Sequence, residues 1–337
     1  MPPVPTPRGE LSEAVLAALG EAVRPLGAPA VPATADALAD EDLQLALYVM
    51  YELHYRGFDG VPDGWEWEPT LLSLRRELED AFLRSLYALA GEPAREDVAP
   101  SEMDVALRAI SEADDGPSLS RHLERHGTLE QILEFVVHRS AYQLKEADPH
   151  AWVIPRLSGQ AKAAAVEIEA DEFGGGRAER IHAALFAQAM EELGLDAGYG
   201  AYLDRIPALT LATVNLMSLL GLHRRWRGAI VGHLALFEMT SSLPNRRYGN
   251  ALRRHGFGAR ATEFFDEHVE ADAVHEAIAS VDLAGGFVRA EPALAGDVLW
   301  GARTLAALES RWGASLLEAW EEGRTSLLAP LADPTAA

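Results

Sequence analysis

His268, Asp272 and His275, in FFDEHVEADAVHE, have the residue types and spacing of a metal-binding stripe. At i, i+4 and i+7 on an α-helix, their side chains fall within about 60° of one another. Two imidazoles and a carboxylate on one face suit iron, manganese or zinc. The chain has 11 histidines and no cysteine, so a transition-metal site must be built from His, Asp and Glu. Glu179 and His182, in GGGRAERIHAALF, form a Glu-x-x-His pair that shares one helical face. Di-iron carboxylate bundles use this spacing, with single glutamates from other helices. Alone the pair is weak, because acidic helices produce it by chance; beside the 268–275 stripe, each supplies what the other lacks.

Other polar residues allow two readings. Glu134, His138, Tyr142 and Glu146 recur at four-residue steps through apolar sequence. For His138 the preferred reading is a solvated stripe. Glu172 lies seven residues before Glu179, so on a continuous helix it would sit about 10 Å further back. Gly174, Gly175 and Gly176 lie between them and cost a helix roughly 2–3 kcal/mol relative to alanine, which marks a place to bend or unwind. A hinge there could swing Glu172 onto a metal; the competing reading is a surface Glu beside Asp171 preparing a turn. Glu238, a lone carboxylate in GHLALFEMTSS, is read as a partner orienting a ligating histidine, with Tyr142 in a similar supporting place. Glu52 and His54, at i and i+2, cannot share a helical face and are read as packing among aromatics. Arg246, Arg247, Arg253 and Arg254 could receive a substrate carboxylate, but basic pairs in so acidic a chain read first as surface counter-charges.

The elements that must position these residues are almost all helical. Ala, Leu, Glu and Arg dominate, with apolar residues at three- and four-residue spacing. The pattern predicts helices near 10–24, 36–56, 69–91, 102–112, 128–147, 157–172, 177–193, 206–221, 224–240, 246–256, 260–281 and 292–323, and no strands of useful length. Pro- and Gly-containing breaks predict loops at 57–68, 148–156, 174–176 and 283–287. Residues 92–127 are acidic and mixed, and read as a connector. The first eight and last eight residues are expected to be mobile. The organisation expected is a helical extension over 1–125 and a metal-binding helical core over 126–325; the extension could be a lid, a dimerisation surface or packing against the core.

Composition narrows the function. Of 337 residues, 48% are hydrophobic, enough for a substantial core. No run of ~20 apolar residues predicts a transmembrane helix, and the N-terminus lacks the pattern of a signal peptide, so the expected location is cytoplasmic. A net charge of −23 argues against nucleic acid and anionic membranes as partners. Without cysteine there are no disulfides and no thiolate ligands or nucleophiles.

Over residues 128 to 320 the chain resembles the haem-oxygenase-like di-iron oxidases and oxygenases, the iron-containing redox enzymes. The resemblance rests on the Glu146 segment, DEFGGGRAERIHAALF and FFDEHVEADAVH, in that order. It implies a haem-oxygenase-like helical bundle. It also implies two Fe(II) per chain, held by Glu146, Glu179, His182, His268, Asp272 and His275, with O2 as co-substrate. N-oxygenating members of that family carry an extra carboxylate ligand at the position of Glu172. The implied activity is O2-dependent oxidation of a small organic substrate, with N-oxygenation of an amine or amino acid favoured over oxidative decarboxylation or C–C cleavage of a fatty acid or amino acid. An electron-donor partner and a homodimer are compatible with it. A non-catalytic helical binding protein with a decayed metal site is the alternative outside enzymology. Thiaminase-like chemistry is excluded by the missing cysteine nucleophile.

Overall fold

A computed structural model describes residues 1–27, 29, 31, 33–113 and 116–331, with all of their side chains except those of 271–274. Its helices are α1 (Glu10–Leu19), α2 (Glu41–Glu52), α3 (Pro69–Ala90), α4 (Met103–Glu112), α5 (Leu119–Arg125), α6 (Leu129–Gln143), α7 (Asp148–Ala151), α8 (Gly159–Glu172), α9 (His182–Glu192), α10 (Ala208–Leu222), α11 (Arg227–Arg254), α12 (Ala259–Ala277), α13 (Gly286–Ala290) and α14 (Ala295–Glu321). Among the described residues there is no strand, as the sequence predicts. Nor is any helix among them long and apolar enough to cross a membrane.

Local chemistry sets several helix starts. Asp40 accepts a hydrogen bond from Leu43 N at the head of α2, and Glu68 does the same for Leu71 N ahead of Pro69 in α3. Thr128 and Gln131 form a reciprocal capping box on α6. These groups satisfy N–H donors that have no partner within the helix.

Four expectations are corrected. The helices expected at 224–240 and 246–256 are joined in one 28-residue helix, α11 (Arg227–Arg254), with Pro244 inside it. The proline costs the helix roughly 3 kcal/mol, which packing against α12 and α14 along its length offsets. The loop expected at 283–287 is absent: α12 runs through a wide π-type segment, Ile278–Gly285, directly into α13. Gly285 serves close packing there, since a Cβ on it would lie 2.6 Å from Pro100 O. The acidic connector contains a helix, α5, capped by Ser118. The first eight residues are held in place: Pro2 O accepts from Asp59 N at 2.9 Å, and Thr6 donates to Asp204 through N and Oγ1. Of the expected mobile tail, residues 332–337 lie outside the described residues.

The core draws on the whole chain. Apolar residues of α1–α4 and of α10, α11 and α14 belong to one buried cluster that is continuous across residue 125. A second cluster joins α5, α6, α9, α12 and the end of α14. At the centre α11 and α14 touch backbone to backbone: a Cβ on Gly232 would sit 1.8 Å from Val298 O, and one on Gly301 1.9 Å from Ala229 O.

The polar row on α6 is also a correction. His138, expected in a solvated stripe, is buried together with Glu134 and Tyr142, because every residue of α6 from Ile132 to His138 is covered by the bundle. Glu134 accepts from Trp320 Nε1, Thr325 Oγ1 and Ser326 N at 2.8, 2.6 and 2.8 Å. His138 bonds Thr210 Oγ1 at 2.7 Å and Ser326 Oγ at 3.0 Å. The row fastens the segment after α14 to the bundle.

Candidate metal centre

Glu146 does not lie on a helix. α6 ends at Gln143, and the chain turns through residues 144–147 before α7. The turn needs a left-handed residue, and Ala147 takes it with φ +74°, at a cost of about 1–2 kcal/mol for a residue with a Cβ. This turn carries the Glu146 carboxylate into the bundle, where it is 4% exposed.

Glu172 is the last residue of α8. After it, Gly174, Gly175 and Gly176 all have positive φ, at +69°, +58° and +81°. Such a run cannot continue a right-handed helix. The chain doubles back so tightly that a Cβ on Gly174 would be 2.6 Å from Arg180 C. One short turn, Ala178–Arg180, follows, and α9 begins at His182. This reversal separates the expected Glu179–His182 pair: Glu179 sits on the short turn, exposed, while His182 is buried. Glu172 stands against His182 instead, with Oε2 2.7 Å from Nδ1.

His268, on α12, brings a third element. Its Nδ1 bonds Phe264 O at 2.8 Å, which directs the Nε2 lone pair away from its own helix. Nε2 lies 3.5 Å from Glu146 Oε1, and the His182 and His268 rings are 4.4 Å apart. Ligand atoms of Glu146, Glu172, His182 and His268, all buried, lie within 4.8 Å of one another. Two turns further on, His275 places Nδ1 3.2 Å from Glu238 Oε2 and Nε2 3.0 Å from Asp171 Oδ2. Glu172, Glu238 and His275 make a second group within the same 4.8 Å limit. Glu172 belongs to both. The Asp272 side chain lies outside the described residues. Tyr142 and Glu169 line a small void of about 10 Å³ beside Glu146, Glu172, Glu238 and His268.

The electrostatics are those of a centre that wants positive charge. Burial pushes the Glu146 carboxyl up, against the pull of His268. Burial also pushes on Glu172, but the neighbouring His182, with His268 and His275, wins and holds its pKa below the usual range. His182 responds in kind: burial disfavours its charge, Glu172 favours it, and its pKa rises. For His275, burial is outweighed by Glu238 and Asp171, which raise its pKa to about 9. Burial, followed by Glu172 and Glu238, raises Glu169 to about 9. Burial beside Glu146, Glu172 and Glu238 raises the Tyr142 phenol well above its ordinary value, which keeps it protonated.

Hydrogen bonding leaves this cluster incomplete. Glu146 Oε2, Glu172 Oε2 and His182 Nδ1 are buried without a hydrogen-bond partner; the 2.7 Å approach of the last two is close, but outside hydrogen-bond alignment. Buried polar atoms without partners cost roughly 1–3 kcal/mol each, more when charged. Carboxylate oxygens and imidazole nitrogens converging on one point are the donors iron accepts, so the residues present fit a metal ion.

Asp171, Glu169 and the histidine pair His150–His233, 3.1 Å apart beside this region, escaped the sequence reading. Glu169 had a signal in its place three residues before Glu172 on one helical face. The histidine pair had none, since the two residues come from separate helices.

A helical bundle with a buried histidine–carboxylate cluster is compatible with a metal site. The chain belongs to the iron-containing redox enzyme family, whose model matches residues 133–310. That span runs from α6 into α14 and contains every member of both groups. No curated protein matches the chain.

Proposed function

We propose that this protein is an O2-dependent non-haem di-iron oxidoreductase acting on a small organic substrate, with N-oxygenation of an amine or amino acid as its reaction. The observation that carries the reading is the membership of Glu172 in both buried ligand groups. A carboxylate common to two groups would let Glu172 serve two neighbouring ion positions, in keeping with the glutamate and histidine donors of di-iron bundles. Glu146, His182 and His268 would complete one position, and His275 with Glu238 the other; Asp272 stays in the set by its spacing on α12. Family membership supports iron as the metal. The inward place of Glu172 supports N-oxygenation, because N-oxygenating members are the ones with a carboxylate there.

Bound iron would supply reductive activation of O2. The chain's own residues prepare for that in three ways. The Phe264 carbonyl fixes the His268 tautomer, so Nε2 is ready to ligate. The apolar bundle excludes water from the reacting region. Tyr142, held protonated, can donate a hydrogen bond within the cavity.

Anaerobic Fe(II) loading followed by metal analysis tests the reading. Wild-type protein is expected to hold two irons per chain and to consume O2 faster with amine substrates. Glu172→Ala should lose at least one iron, whereas Glu179→Ala should keep both. The opposite pattern would return Glu179 to the site and remove Glu172.

A further inference from the structure

A cleft of about 640 Å³ opens between α5, α6, α11 and α14 and reaches Glu146 and His268 at its inner end. Its volume suits a small organic molecule. Phe135, Phe186, Phe237, Tyr248, Phe265 and Trp312 line its walls. Phe135, Arg139 and Gln143 follow one another at four-residue steps along α6, so that helix runs the length of the cleft toward Glu146.

Two polar groups break the apolar wall. Near the metal centre, Gln143 Oε1 is buried with no hydrogen-bond partner. An acceptor left in that state is stabilised by an N–H or O–H arriving with a ligand. At the mouth, Arg247 places Nη1 3.3 and 3.2 Å from the hydroxyls of Ser118 and Ser120. Hydroxyls do not neutralise a guanidinium, and the ion pair Arg247 makes with Glu124 is a long one, 3.9 Å from Nε, which leaves the Nη1 edge on neutral partners. Arg139, the second half-buried arginine of the cleft, is already committed. It forms a two-point pair with Glu309 at 3.0 and 2.6 Å and lies 4.0 Å over the Trp312 ring. In a chain of net charge −23, a cationic mouth on an acidic protein selects for anions.

We infer that the cleft binds an elongated amine whose N–H meets Gln143 beside the metals, whose apolar body lies among the aromatic walls, and whose distal anionic group is received by Arg247. This deepens the proposed function and rests on it for the location of the reacting end. Arg247 is a specificity-determining residue that acts far from the metal ligands.

The test uses Fe(II)-loaded protein under argon, with calorimetric binding of ω-aminoalkanoates of six, eight and twelve carbons, together with the parent alkylamines and alkanoates. The best-fitting aminoalkanoate is expected to bind at least about tenfold more tightly than the alkylamine of equal length, with one preferred length. Arg247→Gln should abolish that ratio while leaving alkylamine affinity within about twofold. Gln143→Leu should weaken the amines and spare the alkanoates. An unchanged ratio in Arg247→Gln, or no binding by the series to protein that retains its iron, overturns the inference. Iron counted in the same samples separates the two readings: Arg247-dependent binding with less than two irons per chain keeps the cleft and removes the di-iron centre.

Discussion

His138 shows how strongly a single buried group can report on its surroundings. Burial, with Arg139 adding to it, drives its pKa from 6.5 to about 3, so the folded protein keeps the imidazole neutral between Thr210 and Ser326. The unfolded chain returns the group to its ordinary value. Between pH 6.5 and about 3 the unfolded state therefore binds a proton that the folded state refuses. The stabilisation is complete above pH 6.5 and is lost as pH falls toward 3, at up to about 1.4 kcal/mol per pH unit. Urea denaturation of metal-free protein at pH 7, 6, 5 and 4 is expected to give His138→Gln a shallower acid limb than wild type. Equal slopes would mean that the imidazole is charged in the fold. The four-residue row on α6 was legible in the sequence, but its burial was not, because the groups that satisfy it come from Thr210, Trp320, Thr325 and Ser326, 72 to 192 residues away.

Among the elements, the glycine run between α8 and α9 decides which carboxylate meets His182 in the candidate metal centre. Helical spacing paired Glu179 with His182, and that pairing needed α9 to begin before residue 179. Three positive-φ glycines end α8 instead, the chain folds back on Arg180 and Ile181, and α9 starts at His182. The glycines themselves announced a break; which carboxylate it would deliver depended on the direction of the turn. Gly174→Ala puts a Cβ 2.6 Å from backbone and adds the left-handed cost of about 1–2 kcal/mol. Fe(II) titration should show its affinity lowered about tenfold or more. Gly176→Ala pays the backbone cost with nothing within 4 Å of the new Cβ, and should bind iron nearly as wild type does. Similar losses in both would mean that backbone freedom matters there and the close approach to Arg180 does not.

At the level of the whole molecule, the N-terminal helices are integral to the bundle. Leu45, Tyr48 and Leu78 share a cluster with Leu211, Ile230 and Leu299. The buried Lys145–Glu52 pair, 2.9 Å apart, ties α2 to the residue next to Glu146. A fragment of residues 126–325 would expose that apolar surface and leave Lys145 without its counter-charge, a loss of several kcal/mol for a buried pair. Circular dichroism and thermal unfolding of the fragment are expected to show helix without a cooperative transition. Cooperative unfolding with iron retained would instead mark residues 1–125 as a separable extension.

The sequence by itself determined the helical class and the family, and it singled out His182, His268 and His275, which the fold buries. Those properties are written in local periodicity, composition and motif order, which need no distant partner. The tertiary structure decided that Glu172 rather than Glu179 faces His182, that the polar row of α6 is buried, and that Glu238 meets His275. Each of these depends on where a backbone reversal or a second helix places an atom. Contacts between residues far apart in the chain leave no spacing to read, so they emerge only when the bundle closes.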